Sequence, residues 1–295
     1  MSVYKVGSKG EEVKQIQKAL DITADGIFGK GTEAAVKKFQ EANGLLADGI
    51  VGKKTFEKLI PQFDTDLTPI ITPPTFVDIE EYHLPKKEYL NGEYLNSYII
   101  LHHTAGWDNP KQVVDSWAKD SLGKVATEFV IGGQRTTDSR STYDGKLIRS
   151  YPAGNQGYHI GSSGSSYMNT HSVGIELCNM GYIKNNRTYV NTAVMPEQIV
   201  TLKEKFRGYK DWHRYSDKQL NVLHDLLLYV ANRDNIDLHS GLYEWIKKEG
   251  EFKAFEMHPD AYKGKVKGLL SHGSIRKDKF DVFPQPELID MILTL

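Results

Sequence analysis

The chain has 295 residues, a formal net charge of -1, 39% hydrophobic and 25% charged residues, a balance that marks neither a nucleic-acid binder nor a ligand of anionic membranes. Its single cysteine, Cys178, excludes an intrachain disulfide and a cysteine-rich zinc module but leaves metal sites of His and carboxylate open. MSVYKVGSKGEEVKQ at the start lacks the apolar core of a signal peptide, and no apolar run is long enough to span a bilayer. The expectation is a soluble monomer made in the cytoplasm, with no membrane or nucleic-acid partner.

In chain order, the first feature is a repeat: ADGIFGKGT at 24–32 recurs as ADGIVGKKT at 47–55. Before the first copy, Val13, Ile16 and Leu20 form an apolar stripe at helical spacing. Between the copies Ala35, Val36 and Phe39 do the same. Ser8 and Glu11 have capping-box spacing, and Thr32 and Thr55 are placed to cap the helices that follow each Asp-Gly turn. The pattern predicts a small three-helix domain over 1–62. KGEEVKQIQKAL, DGIFGKGTEAAVKKFQ and DGIVGKKTFEKL closely resemble the peptidoglycan-binding domain that accompanies many cell-wall hydrolases, and the resemblance implies targeting to the wall. Residues 63–80 then read as an extended linker, part of a stretch that carries Pro61, Pro69, Pro73 and Pro74.

From 81 to 295 the pattern alternates. NSYIILHHTAG reads as a strand, KQVVDSWAKD as a helix, ATEFVIGG and KLIRSYP as strands, HSVGIELCN as a central strand and DKQLNVLHDLLLYVANRD as a long amphipathic helix. The fold class is α/β, a mixed central sheet flanked by helices, and sites in such sheets gather at strand ends.

Three stretches supply chemistry. In YIILHH successive side chains take opposite faces, so only one of His102 and His103 can look into a given site. In HSVGIELCN, Val173, Ile175 and Leu177 share one face and leave Glu176 on the other, where a carboxylate is costly unless paired or functional. Near the C-terminus, SHGSIRKDKFDVFP holds His272, Lys279 and Asp281, the last two pointing the same way if locally extended. Two imidazoles and a carboxylate are a sufficient ligand set for a catalytic zinc that keeps a fourth position for water. A nearby Glu can take a proton, and a Lys can neutralise a developing oxyanion.

YIILHHTAG, ATEFVIGG, YHIGSS, SVGIELCN and HGSIRKDKFD together resemble the zinc-dependent N-acetylmuramoyl-L-alanine amidases related to peptidoglycan recognition proteins. The resemblance implies Zn²⁺ held by His102, His272 and Asp281, with Glu176 as acid/base, Lys279 beside the oxyanion, and Tyr158 and His159 as substrate contacts. It further implies hydrolysis of the amide between N-acetylmuramic acid and L-alanine of peptidoglycan, in a setting like that of a phage endolysin acting on the wall.

The chain departs from the family at Thr127-Glu128, where many members carry Ser-His or Tyr. That removes a catalytic tyrosine and favours Glu176. Asp281-Val282-Phe283-Pro284 replaces an Asp-Pro-Gly ending, and residues 181–260 are an insertion without an assigned role. Two rival readings are a metal-free peptidoglycan recognition module and an L,D-transpeptidase-like enzyme. The second is suggested by SHGSIR, but Ser274 stands where that chemistry needs a thiolate.

Overall fold

Two buried glutamines, Gln17 and Gln40, explain why one motif occurs twice. In the computed structural model the Gln17 amide nitrogen reaches Asp25 Oδ1 at 2.7 Å, the Ile27 carbonyl at 3.0 Å and Thr32 Oγ1 at 3.0 Å, while its oxygen accepts from Gly26 N–H at 2.8 Å. Gln40 repeats the set on Asp48, Ile50, Thr55 and Gly49 at 2.8, 2.9, 3.0 and 2.9 Å. Gly26 and Gly49, at φ 76° and 73°, occupy the left-handed region where a glycine is favoured. Asp, Gly and Thr of each ADGIxGKxT are therefore the walls of a polar socket for one amide. This corrects the expected capping role of Thr32: the helix it belongs to, α2 (Lys30–Ala42), has Gly29 at its N-cap, and Thr32 is the third residue of its first turn.

The structure describes residues 4–9, 11–52, 55, 58, 59, 77–121, 123–138, 141–161 and 165–295. The chain divides into two compact units, Met1–Thr72 and Pro73–Leu295. In the first, α1 (Glu11–Ala19) and α2 enclose Val13, Ile16, Phe28, Val36, Val51 and Leu59. The expected third helix lies mostly outside the described residues, as does residues 63–76 of the expected linker.

Since a buried donor or acceptor left without a partner costs about 1–3 kcal/mol, replacing Gln17 by Leu is expected to destabilise the first unit by roughly 3 kcal/mol. Limited proteolysis of the full chain should show faster cleavage within residues 1–59 and unchanged survival of the second unit. Equal cleavage of the first unit in variant and wild type would refute this role of the socket.

The second unit holds a six-stranded sheet built from β1 (Glu80–Glu81), β2 (Tyr98–His103), β3 (Phe129–Ile131), β4 (Leu147–Arg149), β5 (Ser172–Leu177) and β10 (Gly268–Ser271), in the order β1-β4-β3-β5-β2-β10. β3, β5, β2 and β10 run parallel, and β4 pairs antiparallel with β3. All six residues of β2 are buried, as expected for a parallel strand covered on both faces. One covering helix is α3 (Pro110–Trp117). Another is α4 (Asp217–Asp234), whose Leu220, Leu223, Leu227 and Val230 are buried at helical spacing. Ser216 caps α4 by accepting from Gln219 N–H, and Asn235 ends it in the left-handed conformation.

Thr127-Glu128 has a structural answer. Glu128 is 2% exposed and receives both Arg233 terminal nitrogens, at 2.5 and 2.9 Å, so α4 is pinned to the sheet by an ion pair.

The 181–260 insertion contributes a second sheet of β6 (Tyr182–Lys184), β7 (Arg187–Thr188), β8 (Ile199–Phe206) and β9 (Tyr209–His213), antiparallel in the order β7-β6-β9-β8. No helix among the described residues is long and apolar enough to cross a membrane.

Candidate active site and metal centre

Three neighbouring parallel strands deliver the site in one row. Ser271 at the end of β10 pairs with Leu101 of β2, and His102 pairs with Glu176 of β5. His272, His102 and Glu176 therefore emerge together at carboxyl ends, where parallel sheets expose their ligands. His272 stands where β10 turns into the one-turn helix α5 (His272–Ile275), which is held by a reciprocal cap between Ser271 and Ser274.

Asp281 returns to the same point. Its carbonyl accepts from Gly273 N–H at 2.8 Å, and its segment is anchored by Phe283, whose ring stacks on Trp212 at 4.6 Å and on Tyr215 at 4.7 Å. The Val282-Phe283 that replaces Pro-Gly is thus a buried anchor. The second sheet adds a clamp through Arg207, whose guanidinium donates to the Lys277 carbonyl at 2.5 Å.

Three ligand atoms face one another. His102 Nδ1 and His272 Nδ1 are 3.0 Å apart, and Asp281 Oδ2 lies 3.3 Å from the first and 2.9 Å from the second. The surroundings fix the tautomers. Ser172 hydroxyl donates to the Met168 carbonyl at 2.5 Å and so accepts from His159 Nε2–H at 2.9 Å. Neutral His159 then offers only a lone pair at Nδ1, which accepts from His102 Nε2–H at 2.9 Å. His272 donates its Nε2–H to the Ile160 carbonyl at 3.3 Å.

Both Nδ1 atoms are left bare beside a carboxylate. Three lone pairs at this spacing repel unless a cation sits among them, and tetrahedral zinc with bonds of about 2.0–2.1 Å needs ligand atoms roughly 3.3 Å apart. The residues fit a zinc ion.

Electrostatics agree with the geometry. Burial, then His272, lowers the His102 pKa to about 4 against the pull of Asp281, which keeps the imidazole neutral. Burial and the other two histidines hold His159 well below the usual range. Burial would raise Asp281, but His272 and His102 outweigh it and hold its carboxyl well below the usual carboxylate range. Glu176 goes the other way: burial first, then Asp281, push it well above an ordinary carboxyl, with Lys279 opposing. It lines a cavity of about 380 Å³ with Trp107, Trp117 and Tyr189. A buried carboxyl with a raised pKa thus lies one strand away from three atoms that could hold a metal ion.

His103 takes the opposite face, where its Nδ1 meets Tyr215 hydroxyl at 2.8 Å and its ring lies among Trp212, Tyr215 and Phe283. Tyr158 is 40% exposed. His159 differs from its expected role as a substrate contact. It is 7% exposed, with both ring nitrogens engaged by His102 and Ser172, and so it stands behind His102 rather than open to a substrate.

Gly174 makes this possible, because a Cβ there would come within 3.0 Å of His159 Cγ and 2.7 Å of Thr127 Cγ2. Ser274 is fully buried in the α5 cap, and Cys178 is buried with its thiol raised by that burial, so neither offers a thiolate or an accessible nucleophile. Sequence reasoning missed Ser172 and also Asn169, whose side-chain oxygen accepts from the backbone of His159 and Ile160 at 3.1 and 2.9 Å. Their short polar side chains carry no pattern that marks them.

The sheet, the row of strand ends and the triangle of His102, His272 and Asp281 atoms define a candidate metal centre at the carboxyl end of a mixed α/β sheet. The sequence profile of the N-acetylmuramoyl-L-alanine amidase family matches residues 93–276, and the chain belongs to that family. A profile for a putative peptidoglycan binding domain matches residues 9–59. No curated protein matches the chain.

Among solved structures, a fused Zn-dependent amidase/peptidase/peptidoglycan-binding domain-containing protein from Clostridium acetobutylicum is 43% identical over 22% of this chain and 31% of its own, with a TM-score of 0.20. The endolysin N-acetylmuramoyl-L-alanine amidase LysCS from Clostridium intestinale is 15% identical over 75% of this chain and 99% of its own, with a TM-score of 0.42. PlyL is 12% identical over 68% and 84%, with a TM-score of 0.37. The chain thus spans about a third of the first of these proteins, and the family profile carries the assignment.

Proposed function

We propose that the chain is a zinc-dependent peptidoglycan hydrolase that cleaves the amide between the lactyl carbonyl of N-acetylmuramic acid and L-alanine, with residues 1–62 binding the wall. The observation that supports it most is the triangle of bare Nδ1, Nδ1 and Oδ2 atoms beside Glu176, within a member of this family. Zn²⁺ held by His102, His272 and Asp281 would supply Lewis acidity toward water and the scissile carbonyl.

Glu176 accepts the proton of the attacking water and returns it to the departing amine. The Lys279 ammonium, half-buried two residues before Asp281, stabilises charge that develops on the carbonyl oxygen. Tyr158, 40% exposed and next to His159 in sequence, is the substrate contact in this reading. The pairing of a wall-binding unit with an amidase unit supports a lytic setting of the endolysin type, with the protein acting as a monomer.

Mass spectrometry of sacculi digested with the zinc-loaded protein is expected to show free stem peptides beginning with L-alanine and peptide-free glycan. New reducing sugar ends, or cleavage inside the stem, would replace this reading with a glycosidase or a peptidase.

A further inference from the structure

Besides the Arg207 clamp, the inserted sheet reaches the cavity beside Glu176. The chain that leaves β7 carries Tyr189 and Val190 across to the loop after β2, where Tyr189 hydroxyl donates to the Ala105 carbonyl at 2.5 Å. Together they wall the cavity above Glu176, whose other sides include Trp107, Trp117 and Met180. Trp107 is 65% exposed, and Tyr189 and Val190 are 52% exposed each, so three large apolar side chains stand in solvent at one rim. Exposed apolar surface of this size at a cavity mouth is a mark of ligand contact. Among the described residues lining it, Glu176 is the one charged side chain, and no Lys or Arg is present.

This composition discriminates between the two arms of the substrate. When the scissile amide lies within reach of Glu176, the arms on either side must leave the site in different directions. The stem arm carries free carboxylates, which would meet Glu176 and find no cation here. The sugar arm is uncharged, and the apolar faces of a pyranose pack on aromatic rings. We infer that the cavity between the Ala105–Trp107 loop and Tyr189–Val190 is the glycan subsite, taking the N-acetylmuramoyl ring against Tyr189 and Trp107. The inference rests on the proposed amidase reading for the identity of the ligand. It gives part of the insertion a role in sugar recognition.

The test uses binding and needs no turnover. All four tryptophans, Trp107, Trp117, Trp212 and Trp245, lie in the second unit, and two of them line the cavity, so fluorescence reports on it. The full chain is titrated with the disaccharide N-acetylglucosaminyl-N-acetylmuramic acid whose lactyl group is capped as the simple amide, uncharged as in the intact substrate, and then with free stem peptide as competitor.

Disaccharide is expected to change the fluorescence, stem peptide to leave it bound, and Tyr189→Ala to weaken binding by about tenfold, the worth of one aromatic contact. Tyr189→Phe keeps the ring, loses only the bond to Ala105, and is expected to bind as wild type. Displacement of the disaccharide by stem peptide, wild-type binding by Tyr189→Ala, or equal loss in Tyr189→Phe would each overturn the assignment. Inactivity on sacculi with this binding pattern intact would instead count against the amidase reading alone.

Discussion

Glu176→Gln is expected to retain zinc, fold and sacculus binding while losing about a hundred- to ten-thousand-fold in turnover, the range that a general acid–base group contributes. The substitution keeps the volume of a side chain on a buried strand and removes only its ability to take and give a proton. The position is demanding because Glu176 is the register partner of His102, one strand away from the proposed metal ligand, and its raised pKa suits the proposed role of holding a proton between the two halves of the reaction. Turnover measured as L-alanine-terminated peptide released from sacculi, with zinc measured on the same preparation, separates the two effects. A variant with turnover within a few-fold of wild type would mean that another group moves the proton.

His102→Ala is expected to lose the bound zinc, whereas His103→Ala keeps it and loses stability instead. The adjacent histidines are chemically alike, and only their faces differ. Removing His103 leaves Tyr215 hydroxyl without its 2.8 Å partner and opens space among three aromatic rings, at a cost of about 1–3 kcal/mol for the unpaired group alone.

His159→Leu gives the intermediate case. All three ligands remain, but His102 Nε2–H loses its acceptor, and zinc affinity is expected to fall about 10–100-fold, as for other groups that orient a metal-binding histidine. Competition with a chromogenic chelator orders the three variants. Equal zinc retention by His102→Ala and His103→Ala would refute the ligand assignment, and an unchanged affinity in His159→Leu would refute the orienting chain.

What the sequence made legible was local. The alternation of YIILHH and SVGIEL sorts side chains onto two faces without knowledge of any neighbour, and the α4 stripe marks its helix from Asp217 to Asp234. Roles set by distant contacts were not legible. The family resemblance implies a substrate contact at His159, and only the approach of β2, 57 positions away in sequence, puts it behind His102. Thr32 follows a turn as capping residues do, yet Gln17, on the preceding helix, draws it into a socket. The strands of the second sheet escaped notice because IVTLKEKF and YKDWH have too few buried positions to show a period, and the stack of Tyr182 on Tyr209 that joins two strands of that sheet pairs residues 27 positions apart.

The two histidines that end β2 make the site a matter of parity. Glu176 beside the cavity and the aromatic box around His103 lie on opposite sides of the sheet, and a strand assigns its residues to those sides by whether their number is even or odd. A change of length by one residue between Tyr98 and Leu101 would send His103 toward Asp281 and His102 toward Trp212, exchanging ligand and filler while leaving the composition of the strand almost untouched. A change by two would restore the order. What β2 encodes for chemistry is thus an even count, and a doublet of identical residues is where a miscount would be hardest to see in the sequence and most complete in its effect.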